Sequence, residues 1–253
     1  MLELYRRVLK SAWFGDMLER FSNAMLFGRL GDEKGDTMYH WVEDKEFLKR
    51  SYSLCADLAN QLVQKLKSDD IVAEMRTVGS KGRNMITQNA NEKIDFDFNL
   101  VIEDAQDYDE RDLKKAVRCA FNEVLEKNGL KECEDSTSAL TTKAIQFSRG
   151  NRTPFSIDVC IVTYDRFGQL NRLIHEKTGF EQLDRYYWNA VPFSDKLREK
   201  ENALKPDYWL EVRDKYLEKK NMYLQRPCDH SHPSYVCYIE AVNEVYYKNF
   251  GWR

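Results

Sequence analysis

Polar and apolar residues alternate along residues 94–102, which run Ile94-Asp95-Phe96-Asp97-Phe98-Asn99-Leu100-Val101-Ile102. Because successive side chains of a β-strand point to opposite faces, this alternation predicts a strand that is half buried against helices. The apolar face carries Phe96, Phe98 and Leu100. The polar face carries Asp95, Asp97 and Asn99. Both carboxylates are therefore expected on the same side of a sheet.

A second strand is predicted in the stretch Phe155-Ser156-Ile157-Asp158-Val159-Cys160-Ile161-Val162. Its odd-numbered positions are apolar, so Asp158 points to the opposite face. If the two strands pair, Asp95, Asp97 and Asp158 converge on one face of a sheet. Three carboxylates within a few ångströms repel one another, and such a cluster persists mainly when divalent cations neutralise it. Carboxylate oxygens favour Mg²⁺ or Mn²⁺.

A third feature is the turn Gly79-Ser80-Lys81, which follows a candidate strand at residues 71–78. Glycine lets the backbone approach a ligand closely, while the Ser80 hydroxyl and neighbouring amide groups can hold a terminal phosphate. Taken singly, an Asp-x-Asp strand is often a solvated edge, and a Gly-Ser pair is often an ordinary turn. Taken together, they predict a site where two metal ions and a phosphate-bearing substrate meet.

These pieces, Gly79-Ser80, Asp95-x-Asp97 and the later Asp158, resemble the DNA polymerase β-like nucleotidyltransferases over roughly residues 70–165. The resemblance implies that the three carboxylates bind two Mg²⁺ or Mn²⁺ ions. It also implies that the turn from Gly79 to Lys81 binds a nucleoside triphosphate, with ATP the expected nucleotide. The spacer at residues 81–94 is somewhat long for that family. Its polar part, residues 87–93, is predicted to be a loop that reaches over the site.

The wider pattern predicts an α+β fold, a mixed sheet backed by helices with a helical C-terminal lobe. Amphipathic helices are predicted at residues 47–67 and 109–127, with Gly129 ending the second. Strands are predicted at residues 142–148 and 155–164, and helices after residue 164, including residues 208–223 and a helix headed by Ser234. The predicted domains are a catalytic lobe with a helical N-terminal segment, residues 1–165, and a helical lobe that closes the nucleotide cleft, residues 166–253.

The C-terminal lobe supports a narrower resemblance, to the oligoadenylate synthases, cyclic GMP-AMP synthase and the bacterial cGAS/DncV-like enzymes (CD-NTases). In those enzymes a helical lysine and a serine contact the triphosphate and a tyrosine stacks on the base. The resemblance implies these roles for Lys215, Ser234 and Tyr235, with Arg213 and Lys219 as rivals of Lys215. Helix capping by Ser234 and burial of Tyr235 explain the same residues without a nucleotide.

The implied activity is transfer of a nucleoside monophosphate from a nucleoside triphosphate to a hydroxyl, with release of pyrophosphate. The helical lobe favours a cyclic or linear oligonucleotide second messenger in antiviral defence as the product. Modification of an antibiotic, another small molecule, a protein or a tRNA stays open, as does a catalytically silent nucleotide-binding adaptor. The acceptor is not identified, and the latency common in this group is compatible with a protein regulator.

Composition agrees with an ordinary soluble protein. The 253 residues are 42% hydrophobic and 32% charged, enough to bury a core as one large or two modest domains. We find no apolar run of membrane-spanning length and no signal-peptide core at the start, so a cytoplasmic protein is expected. The net charge of −3 gives no general attraction for nucleic acid, although a local basic groove stays open.

Two further groups have ordinary explanations. Cys228, His230, His232 and Cys237 offer four potential zinc ligands, but their spacing fits no established zinc pattern, and burial in a helix explains Cys237. The run Tyr186-Tyr187-Trp188 could stack on a base, and packing at a domain interface is the favoured explanation.

Overall fold

A computed structural model describes residues 38–191, 196–226 and 233–251. Within these ranges the chain forms two compact units. Unit 1 contains residues 42–84 and 92–191, and unit 2 contains residues 38–41, 85–91, 196–226 and 233–251. Unit 1 therefore runs past the boundary predicted at residue 165. The N-terminal segment that was predicted to be helical lies mostly outside the described residues, which begin at residue 38.

Unit 1 is built on a mixed sheet of seven strands. The strands are β2 (Ala73–Thr77), β4 (Ile94–Ile102), β5 (Glu134–Asp135), β6 (Leu140–Thr141), β7 (Phe155–Tyr164), β8 (Leu170–Glu176) and β9 (Arg185–Ala190). The sheet runs in the order β2-β4-β7-β6-β5, and β8 pairs with both β7 and β9. The β4–β7 pair is parallel, whereas the other pairs are antiparallel. This architecture confirms the predicted α+β fold and the predicted bounds of the strand that begins at Ile94.

Two helices back this sheet, α1 (Lys45–Ser68) and α3 (Glu110–Lys127). Each begins at an aspartate whose side chain caps the first turn: Asp44 accepts from the amide of Phe47 at 2.8 Å, and Asp109 accepts from the amide of Asp112 at 3.1 Å. Residues three or four apart on α1 are buried, among them Cys55, Leu58, Leu62 and Leu66. Both helices were predicted from this spacing.

The apolar face of β4 packs against α1. Phe96 and Phe98 are almost fully buried, and the ring of Tyr52 on α1 stacks parallel to that of Phe98 at 6.4 Å between centroids. Burial of a large aromatic side chain contributes about 2–3 kcal/mol. The sheet is therefore fixed from its apolar side, and the polar face of β4 points away from this packing.

The predicted strand at residues 142–148 is wrong. Only Ile145 forms a bridge there, opposite Phe155. The reason lies at Thr142, whose side-chain hydroxyl accepts the amide hydrogen of Ile157 at 2.9 Å. The amide of Ile157 thus donates to a side-chain oxygen, whereas in a continuous ladder it would donate to a backbone carbonyl.

The helices predicted directly after residue 164 are also wrong, since the chain forms β8 and β9 there. Asp165 accepts hydrogen bonds from the amides of Phe167 and Gln169, at 2.8 and 2.9 Å, and Gly168 has a φ of 79°. This tight turn sends the chain back along β7. Tyr186, Tyr187 and Trp188 consequently lie on β9 in the sheet of unit 1.

A buried charged network fastens β8 and β9 to the rest of unit 1. His175 on β8 contacts Asp135 through Nδ1 at 2.9 Å and Asp184 through Nε2 at 3.0 Å. Lys114 on α3 reaches the same Asp135 at 2.9 Å. Tyr186 on β9 stacks on the imidazole with 4.2 Å between ring centroids.

Unit 2 consists of a two-stranded ribbon and three helices. The ribbon pairs β1 (Tyr39–Trp41) with β3 (Thr87–Asn89), and the helices are α4 (Leu197–Leu204), α5 (Trp209–Leu224) and α6 (Ser234–Phe250). The side-chain amide of Asn221 on α5 accepts from the backbone amide of Tyr39 at 2.7 Å and donates to its carbonyl at 3.0 Å. The loop predicted at residues 87–93 is therefore partly wrong, because β3 is a strand. None of the helices in the described ranges is both long and apolar enough to cross a bilayer.

Candidate active site

The carboxylates of unit 1 are brought together by the register of two parallel strands. Asp97 on β4 lies directly opposite Asp158 on β7, and Asp95 lies opposite Ser156. Partners in a ladder point to the same face, so the three carboxylates share the face that turns away from α1. The predicted pairing of the two strands and the convergence of Asp95, Asp97 and Asp158 are confirmed.

This convergence disturbs the ionisation of Asp97. Burial raises the pKa of the Asp97 carboxyl to about 7, and the charges of Asp158 and Asp95 push it in the same direction. The positive charges of Arg172 and Arg83 oppose that rise in pKa. A carboxyl placed beside two others in a partly dry site is a common mark of a functional position.

Gly79 lies against the carboxylate of Asp97. Its φ is 62°, which favours glycine, and a Cβ added there would lie 1.9 Å from Oδ2 of Asp97. The neighbouring amide of Val78 donates to the carbonyl of Asp97 at 3.0 Å, so the backbone before Gly79 is anchored on β4. The absence of a side chain at this position is therefore a requirement of the site.

Gly79, Ser80 and Lys81 belong to a one-turn helix, α2 (Gly79–Gly82), where the sequence predicted a turn. Ser80 is partly exposed beside Gly79. Lys81 points its ammonium at the ring of Tyr52, 4.6 Å from the centroid. The structure therefore puts Gly79 next to Asp97, with Ser80 following it in the chain, whereas the Lys81 ammonium lies on an aromatic ring.

Asp95 is already engaged by two side chains. The ammonium of Lys93 lies 2.9 Å from Oδ1 of Asp95, and the hydroxyl of Ser156 donates to the same carboxylate. Lys93 also donates to Ser156 Oγ at 3.0 Å. Asp95, Lys93 and Ser156 thus form one hydrogen-bonded group at the edge of the acid site.

The donors at this site fit a divalent cation in kind. Carboxylate oxygens are the ligands that Mg²⁺ and Mn²⁺ prefer, and a cation would relieve the repulsion that raises the pKa of Asp97. Within residues 38–191, 196–226 and 233–251, however, no three His, Cys, Asp or Glu side chains are arranged as a ready metal site. Lys93 and Ser156 already contact Asp95, one of the three carboxylates.

Sequence reasoning gave no role in the site to Lys93, Ser156 or Arg172. Arg172 lies on β8 opposite Val162 of β7, and its charge lowers the pKa of Asp97. Its buried Nε has no hydrogen-bond partner among the described residues. Arg172 was missed because β8 was predicted to be helical. Ser156 shares the face of Asp158 in the alternation, which is the one sequence feature that could have revealed it.

Lys215, the predicted triphosphate lysine, lies in unit 2 on α5 and is neutralised there. Its ammonium lies 2.7 Å from Glu218 on the same helix and 3.0 Å from Glu244 on α6. The rival Lys219 lies 2.8 Å from Glu244. The other rival, Arg213, stacks on Trp41 with 4.3 Å between the guanidinium carbon and the ring centroid. All three cations therefore have partners within unit 2.

Ser234 and Tyr235 head the helix α6 of unit 2, as predicted. Ser234 is exposed, while Tyr235 is half-buried against the unit 2 core. Glu244, which pairs with Lys215, lies ten residues after Ser234, or about 15 Å along the helix. The structure thus does not bring the Lys215 ammonium to Ser234. Cys237 is buried in the unit 2 core, and Cys228, His230 and His232 lie outside the described residues.

No protein-family model and no curated protein matches the sequence. Among solved structures, the STING-associated CdnE c-di-GMP synthase from Capnocytophaga granulosa is similar at a TM-score of 0.51 and 14% identity, over 78% of this chain and 59% of that one. CdnC from E. coli MS115-1, solved with ATP, gives a TM-score of 0.47 and 17% identity, over 79% and 61%. GTP-bound Vibrio cholerae DncV gives 0.47 and 14%, over 81% and 52%.

The chain therefore spans about half to three fifths of the length of these proteins. The similarity to the CdnE structure shows that the chain has the fold of that c-di-GMP synthase. The resemblance to the nucleotidyltransferases is thereby confirmed at the level of the fold.

Proposed function

We propose that this chain is a metal-dependent nucleotidyltransferase that moves a nucleoside monophosphate from a nucleoside triphosphate to a hydroxyl group. The observation that carries the proposal is the pairing of Asp97 with Asp158 on adjacent parallel strands, with the Gly79 backbone against Asp97. Like charges gathered beside a bare backbone suit a cation that bridges protein carboxylates and substrate phosphates. The CdnE-like fold supports the same activity.

Asp95, Asp97 and Asp158 would hold the divalent cations. Bound Mg²⁺ or Mn²⁺ would supply charge stabilisation at the α-phosphate and lower the pKa of the attacking hydroxyl. Gly79 leaves room for a phosphate at the protein backbone, and the Ser80 hydroxyl would donate a hydrogen bond to it. Lys81, Ser234 and Tyr235 remain predicted nucleotide ligands. The resemblance predicts the same role for Lys215, but Glu218 and Glu244 hold its ammonium, so we leave Lys215 out of the proposed site.

The transfer step balances as an in-line displacement. The acceptor oxygen forms a bond to the α-phosphorus, and the bond from the α-phosphorus to its bridging oxygen breaks, so pyrophosphate leaves with that electron pair. Asp158 would accept the proton of the acceptor hydroxyl and release it to solvent. Asp95 and Asp97 would hold the triphosphate end through the cations.

A second nucleotide is the acceptor that we favour, with ATP as the first substrate and a cyclic or linear oligonucleotide signal as the product. The similarity in fold to a c-di-GMP synthase supports a nucleotide as the acceptor and a cyclic product, whereas ATP as the first substrate is the expectation from the sequence resemblance. A role in antiviral defence would follow from such a product. Transfer to an antibiotic, a protein or a tRNA would use the same acid site and differs only in the acceptor.

The test is incubation of the purified chain with each labelled nucleoside triphosphate, singly and in pairs, with Mg²⁺ or Mn²⁺. Chromatography of the products and release of pyrophosphate are measured. We expect pyrophosphate release that disappears in Asp97→Asn and persists in Glu244→Gln, a matched carboxylate change on the ion-paired helix α6. Phosphatase-resistant products would identify cyclisation.

Other results would redirect the assignment. Nucleotide binding without pyrophosphate release, under every nucleotide combination, would show a nucleotide-binding adaptor. Pyrophosphate release that survives Asp97→Asn would show that the acid site is not the catalytic site. Release that needs an added antibiotic, protein or tRNA would identify that molecule as the acceptor.

A further inference from the structure

The proposed reaction gives no role to Lys93, whose ammonium contacts both Asp95 and Ser156. Lys93 immediately precedes β4, and its ammonium lies 2.9 Å from Oδ1 of Asp95. The same ammonium lies 3.0 Å from Oγ of the fully buried Ser156 on β7. Lys93 is thus a cation seated on a carboxylate that the transfer reaction needs for metal.

A divalent cation and this ammonium cannot use the same oxygen together. Mg²⁺ binds carboxylate oxygens at about 2.0–2.1 Å, and an ammonium within hydrogen-bond distance of that oxygen would place three positive charges within a few ångströms. A divalent cation that takes Oδ1 must therefore displace the ammonium, and one that takes Oδ2 would still lie within a few ångströms of this third positive charge.

Lys93 can leave at small cost. Its side chain is 45% exposed and that of Asp95 is 43% exposed, so the ion pair sits in water, where such pairs contribute little to stability. The lysine stem is long and flexible, and a freed ammonium would be hydrated at once. Ser156 is different, because it is buried and its hydroxyl donates to Asp95 whether or not Lys93 is present.

We propose that Lys93 is a positioning residue of the acid site, which occupies and orients Asp95 in the metal-free chain and is displaced when a divalent cation binds. The inference rests on the proposed function, because it assigns Asp95 to the metal. Its consequence is competition. A Mn²⁺ or Mg²⁺ ion that takes Oδ1 of Asp95 displaces Lys93, so the apparent affinity for metal alone is lower than three carboxylates would give.

The experiment is a titration of the full chain with Mn²⁺ alone, without nucleotide, followed by calorimetry and by the electron paramagnetic resonance signal of free Mn²⁺. The variants are Lys93→Met, Lys93→Arg and Lys65→Met, and Asp97→Asn shows which Mn²⁺ binding depends on the acid site. Lys65 is the matched control, because it is a lysine of α1 that lies 2.9 Å from Asp69 in an ion pair outside the acid site. Thermal unfolding in EDTA verifies that each variant is folded.

We expect Lys93→Met to tighten Mn²⁺ binding about three- to ten-fold, since it removes one nearby positive charge. Lys93→Arg and Lys65→Met should stay within about two-fold of the wild type. Unchanged or weaker Mn²⁺ binding in Lys93→Met would overturn the proposal, while binding that still requires Asp97 would leave the proposed function intact. Absence of any Asp97-dependent Mn²⁺ binding in the wild type would also overturn the proposal about Lys93, and the pyrophosphate assay with nucleotide would then decide the proposed function separately.

Discussion

Charged side chains are arranged in opposite ways in two regions of the molecule. These regions are the β4–β7 face of unit 1 and the α5–α6 pair of unit 2. On α5 and α6, Lys215 and Lys219 share Glu244, and each charge faces one of opposite sign. On β4 and β7, Asp97 faces Asp158, and burial and like charge raise the pKa of Asp97 to about 7. Opposite charges that pair on a surface serve the fold modestly, whereas like charges held together in a partly buried place indicate a function.

The largest expected effect is a difference in catalytic activity between a carboxylate variant of the acid site and one of the ion-paired helices. Asp158→Asn keeps the size of the side chain but removes a charge from the acid site, so pyrophosphate release should fall about 1000-fold or more. Glu244→Gln makes the same chemical change in the ion-paired region and should leave that rate within about two-fold. The rates are measured with Mg²⁺ and saturating nucleotide. Equal losses in the two variants would erase the contrast between the regions.

A second effect concerns the backbone of the acid site. Gly79→Ala adds a Cβ at 1.9 Å from Oδ2 of Asp97, in a residue with a φ of 62°. Displacing the carboxylate and straining the backbone should lower the free energy of unfolding by about 2–4 kcal/mol and remove most activity. Urea denaturation and the pyrophosphate assay measure the two losses.

Gly129 provides the control for that change. It follows α3 with a φ of 69°, and a Cβ there would meet nothing within 4 Å. Gly129→Ala should therefore cost only the left-handed backbone penalty, about 1 kcal/mol, with activity unchanged. If both alanine variants lost the same stability and kept activity, the close approach of Gly79 to Asp97 would not be needed for activity.

A third effect is the dependence of stability on pH. The folded-state pKa of Asp97, about 7, lies above its ordinary value of 3.8, so the folded protein binds the proton more tightly than the unfolded chain. Asp97 thus favours folding at low pH, and this contribution is lost as pH rises from about 4 to about 7. Asp97→Asn removes that loss. In EDTA we expect it to be more stable than the wild type at pH 8, on the order of 2–3 kcal/mol.

The measurement is the free energy of unfolding of wild type and Asp97→Asn in EDTA between pH 4.5 and 8. Groups other than Asp97 contribute to both proteins, so the difference between the two curves isolates this carboxyl. Parallel curves would show that Asp97 does not titrate in this range. Asp112→Asn, in the first turn of α3, is the control for loss of a carboxylate outside the acid site.

The features that sequence predicted well are local ones. The alternation around Asp97 predicted the bounds of β4. In a strand with one buried face, a shift by one residue would turn every apolar side chain towards the wrong face. The spacing of Leu58 and Leu62 likewise indicated the helix α1, and the same kind of apolar spacing, followed by Gly129, indicated α3. The same two-residue repeat of side-chain direction in strands predicted that the three carboxylates point to one face of the sheet.

The missed features depend on residues far apart in the chain. β3 is a three-residue strand that exists through pairing with β1, some fifty residues earlier. β8 depends on the turn at Asp165 and on the buried contacts of His175 with Asp135 and Asp184. Without β8, Arg172 had no place on the acid face. Choosing among several lysines on one helix also required their partners, since helical spacing places many of them near solvent.

The smallest effect tests that choice, at Lys215. Sequence resemblance predicts a triphosphate contact, whereas the structure gives its ammonium two carboxylate partners, Glu218 and Glu244. We expect Lys215→Met to change ATP affinity less than about two-fold and the free energy of unfolding by less than about 1 kcal/mol, because exposed ion pairs contribute little. Calorimetric titration with ATP and urea denaturation measure these values, with Lys65→Met as the control. A ten-fold loss of ATP affinity with stability unchanged would instead restore Lys215 as a nucleotide ligand, and would mean that its carboxylate partners release it when the triphosphate binds.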